Sequence, residues 1–231
     1  MQDRHVLITG GTGGLGSGVT PLFLDEGATI TLPYLDQDQV ETFQRSLTPA
    51  QLTQTHFIKA DLTQESEVEH LLNGMPHIDA LVHLVGGFSM GATHQYSLAQ
   101  WQQDFNINLT TTFLVCKHSL RRMIERGYGR IVTIGSGAAT DPKAKLAAYS
   151  ASKAGVVALT QAIAAETKGS NITANVVLPS IIDTPTNRAT MGSQNPDQWV
   201  SPQSLGQVIQ FLASDQAKDI RGAAIPVFGN T

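Results

Sequence analysis

The chain has one cysteine, Cys116, among 231 residues, so no disulfide can form within it. Its seven histidines are scattered, and no His/Cys group has metal-ligand spacing. No metal is expected, and each histidine reads as solvated or as a satisfied core residue. Fifteen Lys and Arg against nineteen Asp and Glu leave a net charge of -4, which offers no basic footprint for nucleic acid. No apolar run approaches the length needed to span a bilayer. The opening Met1-Gln2-Asp3-Arg4-His5 leads directly into a strand-like run and does not resemble a signal peptide. These absences point to a soluble, cytoplasmic protein with neither nucleic acid nor membrane as partner.

With 41% hydrophobic residues the chain can bury a sizeable core, and residues 1–231 read as one domain. Short apolar runs alternate with helix-periodic segments along its whole length. Strands are predicted at 4–9, 28–32, 55–60, 78–85, 130–135, 172–178 and 223–228. Helices are predicted at 14–26, 37–47, 63–73, 98–125, 149–168 and 201–214. Thr63 and Ser66 are candidate caps, and Pro202 lies in a first turn. Such βα alternation defines the α/β class: a doubly wound, Rossmann-like parallel sheet of about seven strands, with helices on both faces.

Between the first strand and first helix lies Thr9-Gly10-Gly11-Thr12-Gly13-Gly14-Leu15-Gly16. Glycines there permit a tight turn and let backbone approach a pyrophosphate, while the helix N-terminus favours an anion. The turn is a candidate dinucleotide site. Its Thr-Gly-x-x-x-Gly-x-Gly spacing differs from the Gly-x-Gly-x-x-Gly fingerprint.

A second motif is Tyr149-Ser150-Ala151-Ser152-Lys153, opening a helix-periodic run. Residues four apart share a helix face, so the phenol and ammonium project side by side. A cation beside a phenol favours the phenolate, which predicts a lowered pKa for Tyr149 and makes it a usable general acid/base. Taken alone, either motif has an ordinary explanation, a loop in the first case and a solvated helix face in the second.

Together, from Arg4 to about Gly229, the glycine pattern and Tyr149-x-x-x-Lys153 resemble the short-chain dehydrogenase/reductase family. The resemblance implies hydride transfer between a nicotinamide and a carbonyl, imine or alcohol carbon of a small-molecule substrate. It assigns Tyr149 as proton donor in reduction. Lys153 would lower the Tyr149 pKa and hydrogen-bond the nicotinamide ribose, Ser136 would polarise the substrate oxygen, and Asn108 would hold a relay water. It further implies cofactor contacts from Gly10, Thr12, Gly14, Leu15 and Gly16, and from Asp61 and Leu62 at the adenine. Val85 and Gly86 would lie at the adenosine ribose, and Pro179, Ile182 and Thr184 at the carboxamide. A homo-tetramer or homo-dimer built on the two long helices and the last strand is also implied.

The chain departs from the family at three places. His83-Leu84-Val85-Gly86 stands where Asn-Asn-Ala-Gly is usual, and Pro179-Ser180 where Pro-Gly is usual. The cofactor-choosing positions hold Tyr34 and Leu35, with Asp36 next. NAD and NADP both remain candidates, and the absence of Lys or Arg in the glycine turn tilts the reading to NAD. Asp183-Thr184-Pro185-Thr186-Asn187-Arg188, followed by Trp199, resembles the dihydropteridine reductase branch, which lacks the serine present here as Ser136. A 3-oxoacyl thioester ketoreductase is the generic alternative, and a catalytically silent dinucleotide sensor the non-enzyme one. Residues 184–200 are read as a substrate loop that orders on closure.

Overall fold

The run His5-Val6-Leu7-Ile8-Thr9 is apolar on both sides of a strand, as a central strand covered on two faces must be. In a computed structural model, which describes residues 1–191 and 196–231, it forms β1 (His5–Thr9). The other strands are β2 (Thr29–Tyr34), β3 (Thr55–Lys59), β4 (Ala80–His83), β5 (Gly129–Ile134), β6 (Ile172–Pro179) and β7 (Ala224–Val227). They form one parallel sheet of seven strands, as expected from the alternation, and its order is β3-β2-β1-β4-β5-β6-β7.

Alternating side chains divide between two cores. Val6 and Ile8 of β1, Ala80 and Val82 of β4, and Val132 and Ile134 of β5 face one side. There they pack with Val19 and Phe23 of α1 (Gly16–Asp25) and Leu205 and Ile209 of α9 (Pro202–Leu212). Leu7, Leu81 and Ile131 face the other side. Their partners include Leu71 of α4 (Glu65–Asn73), Met123 of α6 (Thr111–Arg126) and Ile163 of α7 (Ala147–Glu166). Each fully buried large apolar side chain contributes about 1.5–3 kcal/mol.

The strand order reverses between β1 and β4, and ligands of open α/β sheets bind in the crevice outside the strand ends at such a point. Here the two turns meet. Leu84 N donates to Thr9 O at 3.0 Å, and a methyl group built on Gly10 would lie 3.1 Å from Val85 N.

Several elements differ from the sequence reading. The segment expected as one helix over 98–125 is α5 (Leu98–Phe105), a π-helical turn at Asn106–Thr110, and then α6. Residues 37–47 form only α2 (Gln37–Gln44). A further short helix, α3 (Pro49–Thr53), starts at a capping box in which the side chains of Thr48 and Gln51 reach each other's backbone N–H. Neither Thr63 nor Ser66 caps α4, because the Thr63 N–H and hydroxyl both donate to Asp61 Oδ1 and the N-cap is Gln64. Within the expected loop 184–200, Pro185–Met191 is helical (α8) and Pro196–Gln198 makes a 3₁₀ turn. Residues 192–195 of that expected loop lie outside the described residues. No helix among the described residues is long and apolar enough to cross a membrane, and none of their His/Cys/Asp/Glu groups could hold a metal.

Candidate active site

The glycine turn is built by contacts that no larger residue could make. Gly10 has φ +67°, in the region that favours glycine. A methyl on Gly16 would lie 2.3 Å from Gly10 O, so backbone crosses backbone where α1 begins. Thr20 Oγ1 donates to Gly11 O at 2.9 Å and ties the turn to its helix. The first turn of α1 carries no acidic side chain that would compete with an anionic ligand. Thr12 donates from Oγ1 to Gln39 Oε1 at 2.8 Å, and Gly14 packs against Thr184, whose Cβ would be 3.0 Å from an added methyl. The turn, the start of α2 and the exit of β6 therefore meet.

After β6, Ile182 bridges Val200, and Asn187 Nδ2 donates to Ile182 O at 2.8 Å. Thr184 is buried, with Oγ1 accepting from Asn187 N. Pro179 is the last residue of β6. Asp183 and Arg188 bind each other through two hydrogen bonds, Nε to Oδ1 and Nη2 to Oδ2, the latter 2.7 Å long. Each lowers the other's free energy in the charged form, pulling the Asp183 carboxyl down and the Arg188 guanidinium up. Leu15 packs on the core beside the turn, and Leu62 is buried behind Asp61. The Asp61 carboxylate serves the Thr63 N–H and hydroxyl, the local helix-entry role an acid takes at such a place. Asp36 caps α2 by accepting from Gln39 N at 3.1 Å, and Leu35 is exposed.

The proton-transfer candidates converge on Gly86. A methyl group built there would lie 2.9 Å from Asn108 Oδ1 and 3.0 Å from Lys153 Nζ. Asn108 is fully buried on the π turn, and its amide pairs with Gly87, Oδ1 accepting from Gly87 N at 3.0 Å and Nδ2 donating to Gly87 O at 3.1 Å. The π turn is held by hydroxyls: Thr111 donates to Ile107 O at 2.7 Å and Thr112 to Asn108 O at 2.6 Å. No periodicity in the sequence announces a π turn. Only the two threonines could have suggested it.

Lys153 is buried, and its Nζ donates to Ile134 O at 2.9 Å. Its other two donors have no partner among the described residues, and burial pulls its pKa down to about 8. Burial also pushes the Tyr149 phenol above its ordinary value, while the Ser136 hydroxyl acts in the opposite sense. This corrects the expectation that Lys153 lowers the Tyr149 pKa. The ammonium turns to the end of β5, and desolvation dominates at the phenol. Ser136 follows β5 in extended backbone, with Oγ accepting from Ala138 N at 3.2 Å. A phenol with a raised pKa is protonated at neutral pH, the form a proton donor needs.

His83 occupies the place of the first family asparagine. Its Nδ1 lies 2.8 Å from Thr9 Oγ1 and its Nε2 3.4 Å from Thr111 Oγ1. The Thr111 proton already goes to Ile107 O, so Nε2 carries the ring proton and Nδ1 accepts from Thr9. Burial, with Lys153 adding to it, holds the imidazole neutral and its pKa down to about 3. The satisfied core histidine expected from the sequence is what His83 is.

Next to Tyr149 opens a cavity of about 330 Å³, with Ser89, Tyr96, Trp101 and Lys145 in its walls. Asp104, buried behind them, accepts from Ser89 Oγ at 2.5 Å and Tyr96 Oη at 2.8 Å. Phe88 stands edge-on to the Tyr149 ring at 5.1 Å. Sequence reasoning missed Ser89, Tyr96, Trp101, Asp104 and Lys145, because no local pattern links the 88–97 loop, α5 and the segment before α7.

The fold defines an open α/β protein with its crevice at the switch point, the architecture of dinucleotide-binding proteins. A family model described as short chain dehydrogenase matches residues 4–195. The chain is 31% identical to cis-4-hydroxycyclohexanecarboxylate dehydrogenase of Sinomonas cyclohexanicum, over 99% of this chain and 96% of that one. It is 28% identical to a 3-oxoacyl-[acyl-carrier-protein] reductase of Aquifex aeolicus, over 99% and 97%. A solved short-chain type dehydrogenase/reductase from Mycobacterium ulcerans superimposes with a TM-score of 0.93 at 26% identity, covering 100% of this chain and 90% of that one. The chain belongs to the short-chain dehydrogenase/reductase family and is an oxidoreductase that uses a nicotinamide dinucleotide.

Proposed function

We propose that this oxidoreductase interconverts a carbonyl and an alcohol, with Tyr149 as general acid/base. The observation that carries this reading is the meeting of Asn108 and Lys153 at Gly86, with Tyr149 one helical turn before Lys153 on α7 and Ser136 two residues after Ile134, whose carbonyl holds Lys153. The dinucleotide, when bound, supplies or accepts the hydride. The residues present suit it: a backbone crossing at Gly10 and Gly16 for phosphates, and a buried ammonium with two unused donors for a ribose diol. Gly14, Leu15, Thr12, Val85, Gly86, Asp61, Leu62, Pro179, Ile182 and Thr184 are assigned to the same ligand.

In reduction, the Tyr149 hydroxyl donates its proton to the developing alkoxide and Ser136 donates a hydrogen bond to that oxygen. Lys153 would hold the ribose hydroxyls through the two donors that Ile134 O leaves unused. Asn108 holds a water through which the proton is replaced.

NAD is favoured because no cation lies between Gly10 and Gly16 or between Tyr34 and Gln39. Against it stands Lys59, in register with Tyr34 on β3. An oxo substrate is favoured over a pterin, since Ser136 is present and the Asp183–Arg188 pair is satisfied within itself. The 3-oxoacyl reductase of Aquifex aeolicus makes an acyl thioester the first oxo substrate to try. We assign residues 1–231 to one domain, with 184–200 closing over the substrate and the cytoplasm as the enzyme's site of action. A homo-dimer or tetramer is supported by the groove between α6 and α7, which includes the exposed Phe113 and Ile124. Light scattering tests the last point.

The activity is tested by following NADH and NADPH oxidation with an acetoacetyl thioester and, in parallel, quinonoid dihydropterin. Thioester turnover that Tyr149→Phe abolishes, with cofactor binding kept, is expected. Cofactor binding with no turnover of any carbonyl compound would mark a sensor instead, and turnover of the pterin alone would restore the dihydropteridine reading.

A further inference from the structure

We propose that Lys145 is a specificity residue that receives an anionic group on the oxo substrate. The inference rests on the reductase reading and deepens it. Among the described residues lining the cavity beside Tyr149, Lys145 is the one with a formal charge. The other walls come from aromatic, aliphatic and hydroxyl side chains, including Trp101, Leu98, Tyr96 and Ser97. Asp104, the nearby carboxylate, is buried behind the wall with two hydroxyls donating to it, and is not a lining residue. A cavity of about 330 Å³ with an apolar body and with one cationic residue and Tyr149 in its walls suits a compact oxo compound with one negative end.

The cation is available. Lys143, two residues earlier, is paired with Asp141, whereas Lys145 makes no ion pair among the described residues. Its backbone is also held in an uncommon state. Lys145 has φ +68°, and the only other non-glycine residue with positive φ among the described ones is Asp3, near the chain start. Non-glycine residues in this region cost free energy and cluster at functional sites. The conformation is fixed across the cavity, where Gly91 N donates to Lys145 O at 2.8 Å. A methyl on Gly91 would lie 2.6 Å from the Tyr96 ring, so the loop carrying that donor is itself pressed against the wall. The strained residue thus joins the 88–97 loop to the segment entering α7, and the exposed Lys145 lines the same cavity as Tyr149, four residues on.

The anion could be a carboxylate on the oxo compound itself or the phosphates of a thioester carrier, and matched probes separate the two. Rates are measured with NADH and NADPH for 4-oxopentanoate, for 4-oxocyclohexanecarboxylate and for the neutral amide of each. Acetoacetyl-CoA is compared with the neutral N-acetylcysteamine thioester. Wild type is expected to favour the anionic member of at least one type of pair by about tenfold in kcat/KM, mainly through KM, the size of one charge-assisted hydrogen bond at a partly exposed site. Lys145→Gln should bring that ratio close to one, Lys145→Arg should keep most of it, and salt at about 0.5 M should shrink it in wild type. Preference for the acids assigns a carboxylate, and preference for the CoA ester alone assigns carrier phosphates.

A ratio that survives Lys145→Gln, or the absence of any anion preference in wild type, overturns the proposal while leaving the reductase reading intact. Should no probe turn over, calorimetric binding of each acid against its amide decides. Tighter binding of the acid that Lys145→Gln removes upholds the lysine and sinks the reductase reading. Binding indifferent to charge sinks the lysine.

Discussion

The Asn108 side chain and the Gly87 backbone pair reciprocally, each giving one donor and one acceptor. The contact joins the π turn to the loop after β4, so the turn that carries Gly86 is held by the helix that carries Asn108. Asn108→Ala leaves both Gly87 groups without their partner and should lower stability by about 1–2 kcal/mol. Asn108→Asp keeps only the acceptor and sets a carboxylate oxygen against Gly87 O, so it should cost more than alanine. Urea unfolding of the two variants checks the order.

Gly86 is exposed, yet a methyl there would press on Asn108 Oδ1 and Lys153 Nζ. Gly86→Ala should therefore lose at most the about 1–2 kcal/mol held by the Asn108–Gly87 pair and bind nicotinamide cofactor at least about tenfold more weakly, since the methyl crowds both the amide and the ammonium. Fluorescence titration with NADH, set beside the unfolding midpoint, measures both halves.

The pH dependence of stability should carry the mark of Lys153. Its folded pKa of about 8 lies below the ordinary value of 10.5. Between those two values the unfolded chain binds the proton more readily, so stability from this group rises as pH rises through that window. The full penalty is present below about pH 8 and amounts to on the order of 3 kcal/mol. Wild type should accordingly gain on Lys153→Met between pH 7 and pH 10.5, as read by chemical denaturation of both. A constant gap would contradict the burial argument.

His83 acts at the other end of the scale. Its folded pKa of about 3 lies below the ordinary 6.5, so the unfolded chain takes up the proton first as pH falls. Stability from this group is lost from about pH 6.5 downward, by on the order of 4 kcal/mol at pH 3 to 4. His83→Asn, which restores the residue usual in the family, should flatten the acid limb of the stability profile between pH 6.5 and 4. The wild-type and variant urea midpoints across that range measure it.

Much of this protein is legible in its sequence because the signals are local. A strand buried on both faces must be apolar throughout, so the runs at 5–8 and 131–134 announce central strands. Gly10 and Gly16 are required by a crossing of backbones between elements adjacent in sequence, and spacing alone puts Tyr149 and Lys153 on one helix face. Other features were set by neighbours distant in the chain. Whether Lys153 addresses the phenol or Ile134 O depends on how α7 packs on β5. The neutral state of His83 depends on its burial and on Lys153 of α7, and its tautomer on Thr9 and Thr111 from two other elements. The π turn under Asn108 is stabilised by threonine hydroxyls whose pattern has no period. The walls of the cavity, with Lys145 held in left-handed backbone by Gly91, come from segments joined only in the folded chain. Local hydrogen-bond geometry and hydrophobic periodicity act within a few residues, so the sequence by itself determined the sheet, the glycine turn and the residues offered for chemistry. Desolvation and cross-element hydrogen bonds act between residues far apart in the chain, so only the tertiary structure decided the protonation of those residues and the shape and charge of the space beside them.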